Sequence, residues 1–152
     1  MEFMLSILMD ISFAGILVWC SYMDTKMRLV SNISVVLLLF LAFAHMAFAI
    51  QEGWSWLQYP AGLLVSIPFF IAWLKNLMGA GDIKLIAAIA LYLGLYNMII
   101  SFLLMIPLLA VFMVYTWIKN KTFTCRIPFA PVLAFGSICV VLLGNLNTLG
   151  PL

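Results

Sequence analysis

Six apolar stretches, separated by short polar segments, run along the chain near residues 3–23, 33–50, 59–74, 85–96, 98–118 and 127–143. A transmembrane helix needs about 20 largely apolar residues to cross a hydrocarbon core of about 30 Å. The stretches come close to that length, so the pattern predicts an all-α, polytopic integral membrane protein with six transmembrane helices. The fourth is the shortest, and only a weak turn signal at Asn97 divides it from the fifth. Pro68 and Pro107 interrupt their stretches and predict kinks, which membrane helices tolerate because neighbouring groups satisfy the freed backbone.

The basic residues test this count independently of hydropathy. If the loops alternate sides, Lys26 and Arg28 lie in the first, Lys75 and Lys84 flank the third, and Lys119, Lys121 and Arg126 occupy the fifth. The N-terminus, the loop 51–58, the Asn97 turn and the tail from Gly144 hold no Lys or Arg. Positive loops stay in the cytoplasm. Both termini are therefore expected outside and the protein in the inner, cytoplasmic membrane. Glu2 stands where a signal peptide carries basic residues, so the first span is expected to be retained. Trp54, Trp56 and Tyr59 beside an outer loop read as an interfacial aromatic belt.

Composition agrees with lipid as the solvent. Of 152 residues, 67% are hydrophobic and 8% charged, against about 25% charged in soluble domains. The chain has the length of one domain and no linker-like segment, so 1–152 is read as a single membrane-embedded domain. Seven basic and five acidic residues form no tract able to neutralise a row of phosphates, which excludes nucleic acid as a partner. Cys20, Cys125 and Cys139 are far apart and read as small apolar fillers. His45, alone in the second stretch, reads as a packed hydrogen-bonding residue. No cluster of His or acids supports a metal site, and no cofactor is expected. The ten methionines read as adaptable filler.

With so few charges, each acid in or beside a span calls for an explanation, because an intramembrane carboxylate is costly and is a functional candidate by default. Asp24 closes the first stretch, at the helix end where the dipole disfavours an anion. Its bland alternative is a loop carboxylate paired with Lys26 or Arg28. Asp82, in Gly79-Ala80-Gly81-Asp82-Ile83-Lys84, could be a simple N-cap. That alternative leaves Gly79 and Gly81 unexplained, since paired glycines indicate φ > 0 or a close approach by another part of the chain. The predicted topology puts both acids at helix ends on one membrane face. Two carboxylates and a water suffice for peptide hydrolysis, one as general base and one as general acid. Asp10, about 21 Å from Asp24 along a helix, is expected to make a structural polar contact inside the bundle.

These residues resemble a known family. The segment from Gly79 to Lys84 is similar to the GxGD motif of the type IV prepilin peptidases and their archaeal preflagellin relatives. Asp24, followed after five residues by Val30-Ser31-Asn32, resembles the other half of that signature, with Val30 in place of isoleucine. Ile127-Pro128-Phe129-Ala130-Pro131 with Gly136 is similar to the sixth-helix pattern. The resemblance implies an intramembrane aspartyl endopeptidase. It would cleave the basic leader from prepilins or pilin-like (pseudopilin) secretion subunits just after a glycine, at the cytoplasmic face. Asp24 and Asp82 would be the catalytic pair, in a site loop of Gly79, Gly81 and Lys84. Larger members carry a cytoplasmic insert with paired CxxC motifs that accompanies N-methylation. This chain has only nine residues from Asp24 to Asn32, so that activity is expected to be absent, as in the short peptidases of tight-adherence (Flp) systems.

Cleavage needs locally extended chain at a wet boundary, because a helical peptide bond is shielded and the bilayer core is dry. The basic loops would repel a basic leader, so charge attraction is not expected to recognise it; anionic head groups of the lipid bilayer are the expected electrostatic partner. The rival reading is a small transporter or channel subunit using Asp24 and Asp82 for a cation. That model expects acids near the bilayer midplane rather than at its cytoplasmic edge.

Overall fold

The computed structural model describes residues 2–27, 30–51, 53, 55–76, 78–120 and 129–148. Arg28, Trp54, Lys121, Cys125, Arg126, Ile127 and Pro128 lie outside them. Among the described residues the protein is all helical, with no strand. Helix α1 runs Glu2–Met27 and α2 Asn32–Gln51; a short α3, Gln58–Gly62, passes through a 3-10 turn, Leu63–Ser66, into α4, Ile67–Leu74. Helix α5 covers Ala80–Asn120 and α6 Phe129–Thr148.

The third apolar stretch is thus one helical run, Gln58–Leu74, with a tighter 3-10 turn in its middle, and Pro68 explains the change of pitch. Proline has no N–H to offer the carbonyl four residues back. The Leu64 carbonyl instead accepts from the Ile67 N–H, the tighter 3-10 pattern. Pro107 lies inside α5 without producing a non-helical residue there.

Gly94 divides α5. Its φ of 75° and ψ of 176° fall in a region essentially reserved for glycine. Ser101, beyond this break, meets Ser137 of α6 at 3.2 Å. Ser137 stands about 10 Å along α6 from Ala130, which bonds Asp24, whereas a straight α5 would carry Ser101 about 28 Å from Asp82. Phe102 stacks on Phe69 at 5.0 Å, and Phe69 reaches Phe129, beside Ala130, at 6.3 Å. The second half of α5 therefore returns towards the end from which the first half set out. The boundary expected at Asn97 lies at Gly94, where a sharp bend needs φ > 0; Asn97 continues the helix.

The first half of α5 is the centre of the molecule. Leu85, Ile86, Ala88, Ile89, Ala90, Leu91, Tyr92 and Leu93 are all buried, as expected of a helix that is apolar all round. Half of the most apolar part of α5 is inside the fold, whereas that of α1 is mostly outside it. Backbones cross closely where side chains are smallest. A Cβ on Gly62 would strike the Ala90 carbonyl, and one on Gly136 would lie 2.6 Å from the Ser101 carbonyl. Such small-residue crossings are how helices pack when lipid removes the hydrophobic drive between them. The outer faces of α1 and α2 expose Leu8, Ile11, Val18, Ile33, Val36 and Phe40, a patch that water would not tolerate on a monomer. Among the described residues, three helices are long and apolar enough to cross a bilayer. This is a membrane protein.

Candidate functional site

The two aspartates lie near one another at one end of the bundle. Asp24, near the last turn of α1, is buried at 8% exposure, and Asp82, in the first turn of α5, is partly buried. They lie close enough for the charge of Asp24 to act on Asp82.

Asp24 stands against the negative pole of its own helix, and α6 supplies what α1 does not. The Asp24 Oδ2 accepts the Ala130 N–H at 3.1 Å in a buried contact. Ala130 is in the first turn of α6, where backbone N–H groups have no intrahelical acceptor and the dipole favours an anion. The expected alternative partner Lys26 turns to the Tyr22 hydroxyl instead, at 3.2 Å, with its ammonium 5.5 Å from the Tyr22 ring centroid.

Asp82 is not an N-cap. Helix α5 begins at Ala80, so Asp82 is its third residue, and its carboxylate reaches back to accept the Gly79 N–H, as the acid of a capping box does. A Cβ on Gly79 would lie 3.3 Å from the Asp82 Oδ2, so glycine leaves space for this turned-back carboxylate. Gly81 serves a different contact. A Cβ there would come within 3.0 Å of the Val30 Cβ. Neither glycine has a positive φ; of the two explanations offered by the sequence, close approach applies.

The segment 30–32 is thereby held against the glycine loop. Val30 packs on Gly81, and the Lys84 Nζ donates to the Asn32 Oδ1 at 3.3 Å. Ser34, one turn into α2, shares a side-chain hydrogen bond with Cys20 of α1, so Cys20 is more than an apolar filler. Asp24, Asp82, Gly79, Gly81 and Lys84 thus assemble at one place from α1, α5 and the turn before α5. Three contributions were not foreseen: the Ala130 N–H, the Val30 contact and the Asn32 acceptor. The segments holding them were marked by pattern, but a backbone donor carries no residue-type signal.

Asp10 is not part of this site. It is buried at 8% exposure and accepts the Tyr92 hydroxyl at 2.6 Å, which is the structural contact expected of it. His45 stacks on Tyr92 at 4.5 Å and meets the edge of Tyr59 at 5.8 Å. Tyr59, expected in an aromatic belt, is buried at 5% exposure because it packs against this histidine; Trp56 is exposed. Among the described residues, no three His, Cys, Asp or Glu side chains are grouped to hold a metal.

Fold and site together define a helical membrane protein with an acidic pair built from segments far apart in the chain. A family model described as the type IV leader peptidase family matches residues 11–115, a span that includes Asp24, Asn32, the glycine loop and Asp82. The chain belongs to the type IV leader peptidase family, and its activity is of the leader-peptidase type. No curated protein and no solved structure matches it. Ala130 lies beyond the matched residues.

Proposed function

We propose that this protein is an aspartyl endopeptidase of the inner membrane that removes the basic leader from type IV prepilins or pilin-like subunits. Cleavage takes place at the cytoplasmic face, with Asp24 and Asp82 as the catalytic residues. The observation that carries this reading is the convergence of Asp24 and Asp82, with the Ala130 N–H on one and the Gly79 N–H on the other.

Two carboxylates sharing a site titrate as a coupled unit, because like charges separate their proton losses. Between those losses one group is ionised and the other protonated. The ionised member takes a proton from a water, which attacks the scissile carbonyl. The protonated member donates a hydrogen bond to the carbonyl oxygen and then passes its proton towards the departing amine. Gly79, Gly81 and Lys84 shape the loop: the glycines admit the turned-back carboxylate and Val30, and Lys84 ties the loop to Asn32.

In this reading the chain crosses the bilayer six times, with both termini outside and Lys26, Arg28, Lys75, Lys84, Lys119, Lys121 and Arg126 on the cytoplasmic side. The return of the chain at Gly94 supports two crossings within α5. The connection from α1 to α2 has no room for a CxxC insert, in keeping with peptidase activity without N-methylation.

Co-expression with a candidate prepilin, followed by the size of that pilin, tests the reading. Asp24→Ala, Asp24→Asn, Asp82→Ala and Asp82→Asn proteins that insert normally should all leave the leader attached. Normal processing by the Asp24 and Asp82 variants would remove the acid pair from the chemistry.

A further inference from the structure

We propose that Asp10 and Tyr92 are positioning residues, a clamp at the far end of α1 and α5 that sets how Asp24 and Asp82 face each other. The effect on cleavage rests on the peptidase reading above; the effect on helix register does not.

The same two helices carry both couples. Helix α1 bears Asp10 and Asp24, about 21 Å apart, and the first half of α5 bears Tyr92 and Asp82, about 15 Å apart. Between these couples the buried residues of α1 are Phe13, Leu17 and Cys20, and those of α5 are Leu85, Ile86, Ala88, Ile89, Ala90 and Leu91. Apolar surfaces give little axial register in a bilayer, because lipid tails are as apolar as the neighbouring helix. Close glycine crossings supply it between α3, α5 and α6, but Gly15 of α1 makes none, so the register of α1 against α5 falls to polar contacts. At the far end the Tyr92 hydroxyl donates to Asp10 at 2.6 Å in a buried bond. A buried polar contact that fixes register is the best attested use of such groups.

Tyr92 is also held against rotation. Phe13 of α1 stacks on its ring at 4.0 Å with an interplanar angle of 8°, and His45 of α2 stacks at 4.5 Å and 29°. Two near-parallel rings at those separations must occupy opposite faces, so Tyr92 is sandwiched between α1 and α2. Helix α2 repeats the arrangement at the site end, where Asn32 accepts from Lys84 and Ser34 bonds Cys20. Helices α1, α2 and the first half of α5 are therefore tied at both ends, at the far end by one hydrogen bond and two ring stacks and at the site end by polar contacts that α2 makes to each of the others, with an apolar stretch between. Helix α1 packs on α2 and α6 rather than along α5, so releasing the far tie lets α1 shift relative to α5 and alters the separation of the acids, with no atom of the site changed.

The test uses the full chain in lipid bilayers. Tyr92→Phe keeps the ring sandwich and deletes one oxygen; Asp10→Leu deletes the acceptor; Asp10→Asn retains an acceptor oxygen in the same shape. Tyr92→Phe and Asp10→Leu should each lower kcat about tenfold or more with KM nearly unchanged, because only alignment is lost. Asp10→Asn should restore most of the rate. Spin labels attached through encoded azido side chains at Met27 and Ala80 read the register without cleavage. Their separation should shift or broaden by about 3 Å, two residue rises, in Tyr92→Phe and Asp10→Leu and not in Asp10→Asn. An unchanged label distance in Tyr92→Phe and Asp10→Leu overturns the clamp, as does a wild-type kcat in both. Normal cleavage by Asp24→Ala and Asp82→Ala would instead overturn the peptidase role of the acids while the label distances still decide the clamp.

Discussion

The Asp24 carboxylate accepts the backbone N–H of Ala130, 106 positions away, at 3.1 Å. The contact closes the bundle end to end in sequence: α1 supplies an acid at its unfavourable pole, and α6 supplies the positive pole that accommodates it. It also makes the position of the acid depend on where α6 begins.

The acid pair should behave as one device. Asp24→Ala and Asp82→Ala are each expected to lower cleavage by about 10³-fold or more, and the double variant should be no worse than the worse single one, since groups that act as a unit are non-additive. Purified enzyme and a leader-bearing peptide give the three rates; multiplicative losses would mean that the carboxylates act independently.

The two loop glycines should differ in tolerance. Gly81→Ala sets a methyl 3.0 Å from the Val30 Cβ, whereas Gly79→Ala sets one 3.3 Å from a carboxylate oxygen that can swing aside. Overpacking of the first kind typically costs about 1–3 kcal/mol. Cleavage assays on inserted protein should find Gly81→Ala the slower variant, by about tenfold. Val30→Gly, which removes the clashing atoms, should recover part of the loss.

Helix crossings should be sensitive only where backbones touch. Gly136→Ala drives a methyl to 2.6 Å from the Ser101 carbonyl, whereas Cβ atoms on Gly15 and Gly144 would meet nothing within 4 Å. Thermal unfolding in detergent should place Gly136→Ala several degrees below the parent and leave Gly15→Ala and Gly144→Ala within about one degree of it.

Gly94 should resist every substitution. A side chain there would have to adopt φ 75° and ψ 176°, and its Cβ would sit 3.3 Å from the Gln58 carbonyl. Gly94→Ala is expected to cost about 1–3 kcal/mol from backbone strain alone, read as loss of folded, inserted protein and a lower melting temperature.

Topology can be tested without any assay of chemistry. A reporter active only outside the cytoplasm should work when fused after Gln58 and fail when fused after Lys121. Activity at both points would break the six-span count.

Much of this was legible in the chain because hydropathy and residue type carry it. The helices α1, α2 and α6 follow their apolar stretches, and Asp10 was marked as a bundle contact by the cost of a carboxylate in lipid. What was illegible depended on other parts of the chain. Asn97 looked like the turn because its side chain is polar, but the bend needs a positive φ and close contact with Gln58, which only Gly94 allows. Tyr59 looked interfacial until His45 was found beside it. The N-cap alternative for Asp82 stayed open because the helix start could not be fixed to two residues. The Ala130 donor belongs to the main chain and leaves no trace in composition.

The bend at Gly94 leaves the central segment, residues 80–93, only about 21 Å long at 1.5 Å per residue. A bilayer core is about 30 Å thick. In the proposed topology this segment is a crossing too short for that core, and because it is buried inside the fold rather than bathed in lipid, its end at Asp82 would stand below the level of the surrounding head groups. Water would then reach the acid through a recess between helices, at a depth that a full-length helix would keep dry. Cleavage would in that case depend on acyl-chain length, slowing in thicker membranes as the recess deepens.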